Sequence, residues 1–224
     1  MGPTSRPRVK ICCIASVAEA MLAMRYGASA VGLVSAMPSG PGVISEELIR
    51  TIAGFIPPGV SSFLLTSKRD AASIIDQQRR LRVSALQLVD AVPFDVYGEL
   101  RVALPGISIV QVIHVRSRES VEEAYAVEAH VSALLLDSGN PSLQTKELGG
   151  TGRTHDWTIS RKIREAVNIP VYLAGGLTPD NVCRAIDEVA PFGLDVCSGV
   201  RTEGALDERK LSLFFDKANE RRSM

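Results

Sequence analysis

Residues 9–34 read VKICCIASVAEAMLAMRYGASAVGLV, and this stretch contains a strand pattern, a helix pattern and a second strand pattern in succession. The runs Val9–Ile14 and Ala30–Val34 are almost wholly apolar, which is typical of parallel strands covered on both faces. Between them, Val17–Tyr26 carries its apolar side chains along one stripe, and Gly27 follows as a C-cap residue. The stretch predicts a β-α-β unit.

The same alternation continues along the chain. Six more apolar runs of strand length occur, at Ser61–Leu65, Ala85–Val89, Ile107–Ile113, Ala133–Asp137, Pro170–Ala174 and Gly193–Val196. Helical patterns follow the strands, at Ser45–Phe55, Lys68–Leu81, Phe94–Val102, Ser117–Glu128, Asp156–Ala166, Pro179–Val189 and Leu206–Asn219. Eight strands alternating with eight helices predict an α/β fold, a closed (β/α)8 TIM barrel. We expect one domain over residues 1–224, with its core at about 9–219. A doubly wound open sheet is the alternative, weakened because no G-x-G-x-x-G turn follows the first strand.

Composition and charge exclude several classes of protein. The 224 residues include 25 basic and 25 acidic side chains, so the net charge is zero. This gives no basic field for nucleic acid and no polybasic feature for a membrane surface. No apolar run approaches the ~20 residues of a membrane span, and the polar N-terminal stretch does not resemble a secretory signal. The four cysteines contain no C-x-x-C pair, so we expect reduced thiols in a cytoplasmic protein.

Candidate reacting groups follow two of the predicted strands. In TIM barrels these groups lie at the carboxyl ends of the strands and in the loops that follow. Asp137 closes strand six, and Cys12 ends strand one, where a thiolate favoured by Lys10 could act as a base. The residues alone leave other roles open, because a buried cysteine is most often a small hydrophobe and such an aspartate is often a helix cap or an ion-pair partner. Cys13 is expected to point towards the helices.

Two glycine clusters predict a phosphate site. Gly175 and Gly176 follow strand seven, and Ser198 and Gly199 follow strand eight, where TIM barrels usually bind phosphate. Glycines let the backbone approach a ligand closely, and N–H groups at helix N-termini bind anions. One cluster alone would indicate only a tight turn, but the pair favours phosphate. The long glycine-containing segment 138–155 is expected to form a functional loop, such as a lid.

Seven segments resemble the phosphoribosylanthranilate isomerase family, and the similarity runs over most of the chain, from about Val9 to Asn219. They are VKIC at 9–12, GASAVGLV at 27–34, LQL at 86–88, LLLD at 134–137, GGTGRTHDW at 149–157, LAGGLTPDNV at 173–182 and GLDVCSGV at 193–200.

The resemblance implies an Amadori rearrangement in tryptophan biosynthesis, which converts an aminoaldose phosphate into an aminoketose phosphate. It implies Asp137 as the acid, Cys12 as the base and Asp195 as the partner of a ribose hydroxyl or a substrate nitrogen. It places the phosphate at the four residues of the two glycine clusters. No cofactor and no metal are expected, the partner is a phosphorylated sugar substrate, and relatives occur as monomers and homodimers.

Several positions depart from the family pattern. Gly42 stands where the family usually has an arginine that grips the anthranilate carboxylate, and Val89 stands where it has a histidine. Cys13 and Ala15 replace a glycine and a threonine, and Arg201 replaces a glutamate.

A cation from another loop could replace the missing arginine. We favour Arg153 of the glycine-rich loop, with Arg201 as its competitor. The alternatives are a paralogue that rearranges a different phosphorylated aminosugar, or a non-catalytic barrel that only binds a sugar phosphate. The presence of both Cys12 and Asp137 argues against the non-catalytic barrel.

Overall fold

The chain folds into a closed barrel of eight parallel strands in sequence order, as seen in a computed structural model that describes residues 6–139, 152 and 154–220. The strands are β1 (Arg8–Ile11), β2 (Ala30–Val34), β3 (Ser61–Thr66), β4 (Ala85–Leu88), β5 (Ser108–His114), β6 (Ala133–Asp137), β7 (Val171–Leu173) and β8 (Gly193–Val196). The helices are α1 (Val17–Arg25), α2 (Glu46–Phe55), α3 (Ala71–Leu81), α4 (Phe94–Ala103), α5 (Glu119–Glu128), α6 (Trp157–Ala166), α7 (Val182–Val189) and α8 (Glu208–Asn219). The predicted (β/α)8 barrel is confirmed and the open sheet is excluded.

Two apolar layers explain why the strands are apolar on both faces. Alternate side chains of each strand point into the barrel, where Phe63, Leu65, Val110 and Val112 belong to one buried cluster. The intervening side chains, such as Leu64 on β3, belong to a larger cluster between the strands and the helices. Because both faces are covered, every residue of β2 is buried.

Helix starts follow local capping chemistry. Ser45 caps α2 through a hydrogen bond from the N–H of Leu48. α7 begins at Val182, later than expected, because Asn181 organises the preceding turn. Its side-chain oxygen accepts from the N–H of Thr178 at 2.9 Å, and its amide nitrogen donates to the carbonyl of Gly176 at 2.9 Å. This turn fixes the segment between β7 and α7.

A small hairpin after β8 was not predicted. A 3-10 turn at Ser198–Val200 leads into β9 (Arg201–Thr202), which pairs antiparallel with β10 (Ala205–Leu206). Glu203 and Gly204 between them both have positive φ, as a two-residue hairpin turn requires. Within the described part of the chain, no helix has the length and apolar character needed to cross a membrane.

Candidate active site

A cavity opens at the carboxyl ends of the strands, where TIM barrels bind their ligands. The lining combines residues after β1, β2, β7 and β8 with the polar side chains of Gln87, Asp137 and Asp195. Of the predicted site residues, it includes Cys12, Asp137, Gly175, Gly176, Asp195 and Ser198.

Asp137 lies at the end of β6 and is 8% exposed. Its Oδ1 accepts a hydrogen bond of 2.7 Å from the N–H of Ser138. It neither caps a helix nor pairs with a cation within 4 Å among the described residues. Burial raises the pKa of the Asp137 carboxyl above its ordinary value, against the lowering effect of that hydrogen bond. The group therefore keeps its proton to higher pH than a free carboxyl, as a general acid must.

Cys12 continues the ladder of β1, since its N–H donates to the carbonyl of Val196 at 2.8 Å. Its side chain lies in the barrel interior beside Gly32, where an added Cβ would be 2.9 Å from Cys12 Sγ and 3.0 Å from Lys10 Nζ. Glycine at position 32 therefore leaves room for both groups. The thiol lies close to a fully buried ammonium group.

Lys10 forms an ion pair of 2.8 Å with Asp195, its register partner across the β1–β8 seam. Burial works against the charge of Lys10, but Asp195 outweighs it, and the pKa of the ammonium is raised. Lys10 is therefore charged inside the barrel. Asp195 remains at the cavity wall.

The prediction for Cys13 was wrong. Its side chain lines the cavity instead of facing the helices, because β1 ends at Ile11 and the backbone at Cys13 turns to φ +60°. The strand alternation used in the prediction no longer applies there. Cys13 Sγ lies 3.6 Å from the carbonyl oxygen of Pro41, and an added Cβ on Gly42 would be 2.5 Å from Cys13 Cβ. Cys13 thus occupies the space that a side chain at position 42 would need.

Cys197 also lines the cavity. A hydrogen bond from the Cys13 thiol lowers the pKa of Cys197, whereas the contacts with Cys12 and Cys197 raise the pKa of Cys13. Cys183 packs against the core. The part of the chain that is described has no cluster of three or more metal-binding side chains.

The two glycine loops lie side by side, with different roles for their residues. Gly175 and Gly176 have φ values of +81° and +61° and line the cavity together with Ser198. Gly199 is not part of the lining. An added Cβ there would lie 1.9 Å from the carbonyl oxygen of Leu177, so this glycine allows the loops after β7 and β8 to pack together.

The family model for N-(5'-phosphoribosyl)anthranilate (PRA) isomerase matches residues 9–217. The chain belongs to the phosphoribosylanthranilate isomerase family. The N-(5'-phosphoribosyl)anthranilate isomerase 2 of Methanosarcina mazei is 37% identical, covering 94% of this chain and 93% of the relative. The crystal structure of the isomerase from Thermotoga maritima matches with a TM-score of 0.80 and 31% identity, covering 95% and 98% of the two chains. A crystal structure of the isomerase with reduced 1-(o-carboxyphenylamino)-1-deoxyribulose 5-phosphate matches with a TM-score of 0.78 and 29% identity. The match covers 95% of this chain and 98% of that one.

The structure bears on what replaces the family's carboxylate-binding arginine. Arg201 is held away from the cavity, with 2.9 Å contacts to Glu19 and a 2.6 Å hydrogen bond to the carbonyl of Cys13. This pairing disfavours Arg201 as the cation, since its guanidinium fastens the hairpin to the start of α1. Arg153, the favoured candidate, lies outside the described residues.

Gln87 lies in the site without a role in the sequence analysis. It is 3% exposed and lines the cavity, and its Oε1 has no hydrogen-bond partner among the described residues. In the sequence, the feature that could have indicated this role is that Gln87 is a polar residue within the apolar run of β4.

Two histidines were also missed. His114 ends β5 as the register partner of Asp137, and its Nε2 lies 2.9 Å from the carbonyl oxygen of Val89. His114 thus lies beside Val89, the residue that stands where the family has a histidine after strand four. His155, just before α6, lies near Asp137, since an added Cβ on Gly175 would be 3.1 Å from His155 Nδ1 and 3.2 Å from Asp137 Oδ1. Only the tertiary structure brings either ring to the acid.

Proposed function

We propose that this chain catalyses the isomerisation of phosphoribosylanthranilate in tryptophan biosynthesis. The observation that carries the proposal is a protonatable buried carboxyl and a thiol in one cavity, Asp137 and Cys12, beside two glycine loops. The named relatives support the same reaction.

In the proposed reaction, Asp137 protonates the furanose ring oxygen, the bond from that oxygen to C1 breaks, and a Schiff base forms between C1 and the amine. The Cys12 thiolate then removes the proton from C2. The electron pair moves into a C1–C2 double bond, and the amine nitrogen regains its lone pair. The enol that results becomes the ketone when its hydroxyl proton leaves and C1 is protonated. The substrate's own amine delocalises the charge, so the reaction needs no cofactor.

The remaining residues bind the substrate in this proposal. Gly175, Gly176 and Ser198 would hold the phosphate by close backbone approach, while Gly199 keeps their two loops together. Asp195, charged beside Lys10, would accept a hydrogen bond from a ribose hydroxyl or the substrate nitrogen. Arg153 would close over the substrate carboxylate from the loop after β6.

One observation favours a second candidate function. None of the described cavity-lining residues is a lysine or an arginine. Losing a carboxylate clamp costs about 1.5–3 kcal/mol of binding if no other cation replaces it. A paralogue that rearranges a phosphorylated aminosugar without a carboxylate would need no such cation.

The test is steady-state kinetics on phosphoribosylanthranilate, together with complementation of a tryptophan auxotroph that lacks this isomerase. We expect turnover and growth with the natural chain and neither with Asp137→Asn. An Arg153→Ala variant should lose about tenfold in kcat/KM, equivalent to ~1.4 kcal/mol. A folded natural chain without activity would reject the proposal and leave the paralogue. A single domain, a cytoplasmic location and a monomer or homodimer stay predictions.

A further inference from the structure

His155 is held in a fixed orientation near the candidate acid, across the space beside Gly175. Its Nε2 lies 2.6 Å from the hydroxyl oxygen of Ser160, a residue on α6 with no exposed surface. Burial lowers the pKa of His155 from 6.5 to about 4, although the nearby carboxylate of Asp156 opposes the shift. The ring is therefore neutral at pH 7.

The other ring nitrogen is buried and has no partner. His155 Nδ1 forms no hydrogen bond with any described residue. An added Cβ on Gly175 would lie 3.1 Å from this nitrogen and 3.2 Å from Asp137 Oδ1. Both polar atoms thus face the same small space, which is open because residue 175 is glycine. A buried nitrogen without a partner destabilises the folded state, so its retention needs an explanation.

We propose that His155 is a positioning residue for the acid, and that its Nδ1–H stabilises the Asp137 carboxylate formed when the acid gives its proton to the substrate. The inference rests on the proposed function, since that function makes Asp137 the acid. The proposal assigns the Ser160 hydroxyl as the donor to Nε2, which leaves the ring proton on Nδ1.

The neutral state of the ring matters for this role. An imidazolium beside Asp137 would favour the carboxylate before substrate arrives, and the acid would then have no proton to give. A neutral N–H stabilises the carboxylate more weakly and leaves Asp137 able to donate. The charged or titratable groups around the pair are Asp156 beside His155, and His114, Asp195 and Lys10 around Asp137.

Three variants of His155 test the contributions of its two ring nitrogens separately. The amide of His155→Asn reaches the place of Nδ1, whereas the amide of His155→Gln reaches that of Nε2 and keeps the bond to Ser160. His155→Phe keeps a ring of similar size and has neither nitrogen, so it repeats the test if His155→Gln does not fold.

The decisive measurement is the titration of the Asp137 side-chain carboxyl by carbon-13 NMR in the ligand-free protein. We expect the Asp137 pKa to rise in His155→Gln and His155→Phe, because a donor to the charged form is lost, and to stay near the natural value in His155→Asn. In parallel, kcat should fall about tenfold in the first two variants with little change in KM, and should recover in His155→Asn.

An unchanged Asp137 titration in His155→Gln or His155→Phe would overturn the inference. A fall in the Asp137 pKa would also overturn it, since it would mean that Nδ1 accepts the acid's proton. Because the titration uses no substrate, it tests the contact even if the natural chain does not isomerise phosphoribosylanthranilate. The two proposals can therefore fail separately.

Discussion

At the scale of single residues, proton transfer depends on two side chains that the fold brings to one cavity. Cys12→Ala removes the thiolate, and Asp137→Asn removes the transferable proton. We expect each change to lower kcat by a factor of about 10²–10⁴ or more, the usual contribution of general acid–base groups. Affinity for inorganic phosphate, measured by calorimetry, should stay within about threefold, because the proposal assigns the phosphate to the backbone of the glycine loops and not to either side chain. Substantial turnover by either variant would assign the proton transfers to other residues.

The lowered pKa of His155 predicts a dependence of stability on acid. The folded protein binds this proton only near pH 4, whereas the unfolded chain binds it near pH 6.5. The contribution is therefore fully present above pH 6.5 and is lost as the pH falls towards 4, by roughly 3 kcal/mol. Asp137 acts in the opposite sense, since its raised pKa lowers stability as the pH rises above 3.8.

A comparison with His155→Phe tests the histidine, and the further rise expected in the Asp137 pKa of this variant changes the stability difference in the same direction. Urea unfolding at pH 7.0, 6.0, 5.0 and 4.5 gives the free energy of unfolding of each. The variant should lose less stability than the natural chain across this interval. If the free energy of unfolding falls equally with pH in the two proteins, the expectation is contradicted.

At the scale of elements, the β1–α1 loop and the loop after β2 share one space. Gly42 has φ +78°, and an added Cβ there would lie 2.5 Å from Cys13 Cβ and 3.0 Å from its backbone. We expect Gly42→Ala to lower the free energy of unfolding by about 1–3 kcal/mol. Cys13→Gly should be nearly neutral, because it also relieves a non-glycine residue at φ +60°. The double variant should recover at least about 1 kcal/mol of the free energy of unfolding that Gly42→Ala loses. If the effects of the two substitutions simply add, the two loops are not coupled at this point.

A second glycine holds the two phosphate loops together. Gly199→Ala places a Cβ against the backbone carbonyl of Leu177, which cannot yield as a side chain could. We expect phosphate affinity to fall at least about tenfold, and stability to fall by about 1–3 kcal/mol. Gly54→Ala is the matched control, because it lies within α2 with open space around it and should stabilise slightly. Equal effects in the two variants would show that loop packing is not the cause.

The sequence predicts elements better than the contacts between them. The number and order of strands follow from periodicity, because burial on both faces leaves an unbroken apolar run such as Ala30–Val34. The direction of Cys13 could not be predicted, since it depends on where β1 ends and on a backbone turn. The place of His155 depends on its distance from Gly175 in the fold, which no local pattern contains. The candidate site was thus predicted by strand ends and by resemblance, and its supporting residues were not.

At the scale of the whole molecule, the Lys10–Asp195 ion pair crosses the seam between the first and last strands. Lys10→Met leaves the Asp195 carboxylate buried without its cation, and we expect a loss of about 3–5 kcal/mol in the free energy of unfolding. Adding Asp195→Asn removes that charge and should restore most of the loss. Denaturant unfolding of the two single variants and the double variant measures this. A double variant as unstable as the sum of the singles would mean that the two charges do not stabilise each other.

The same seam has a consequence for protein synthesis. Lys10 leaves the ribosome before its carboxylate partner, which is 185 positions later in the chain. At translation rates of ~5–20 residues per second, the wait is roughly 10–40 s. During this time the nascent chain has strand edges that are open to other chains. The Lys10 ammonium must also stay hydrated, because its carboxylate partner is not yet present in a core. A message that ends before residue 193 should therefore yield a product that chaperones and proteases remove, since no shorter length of this chain closes the ring.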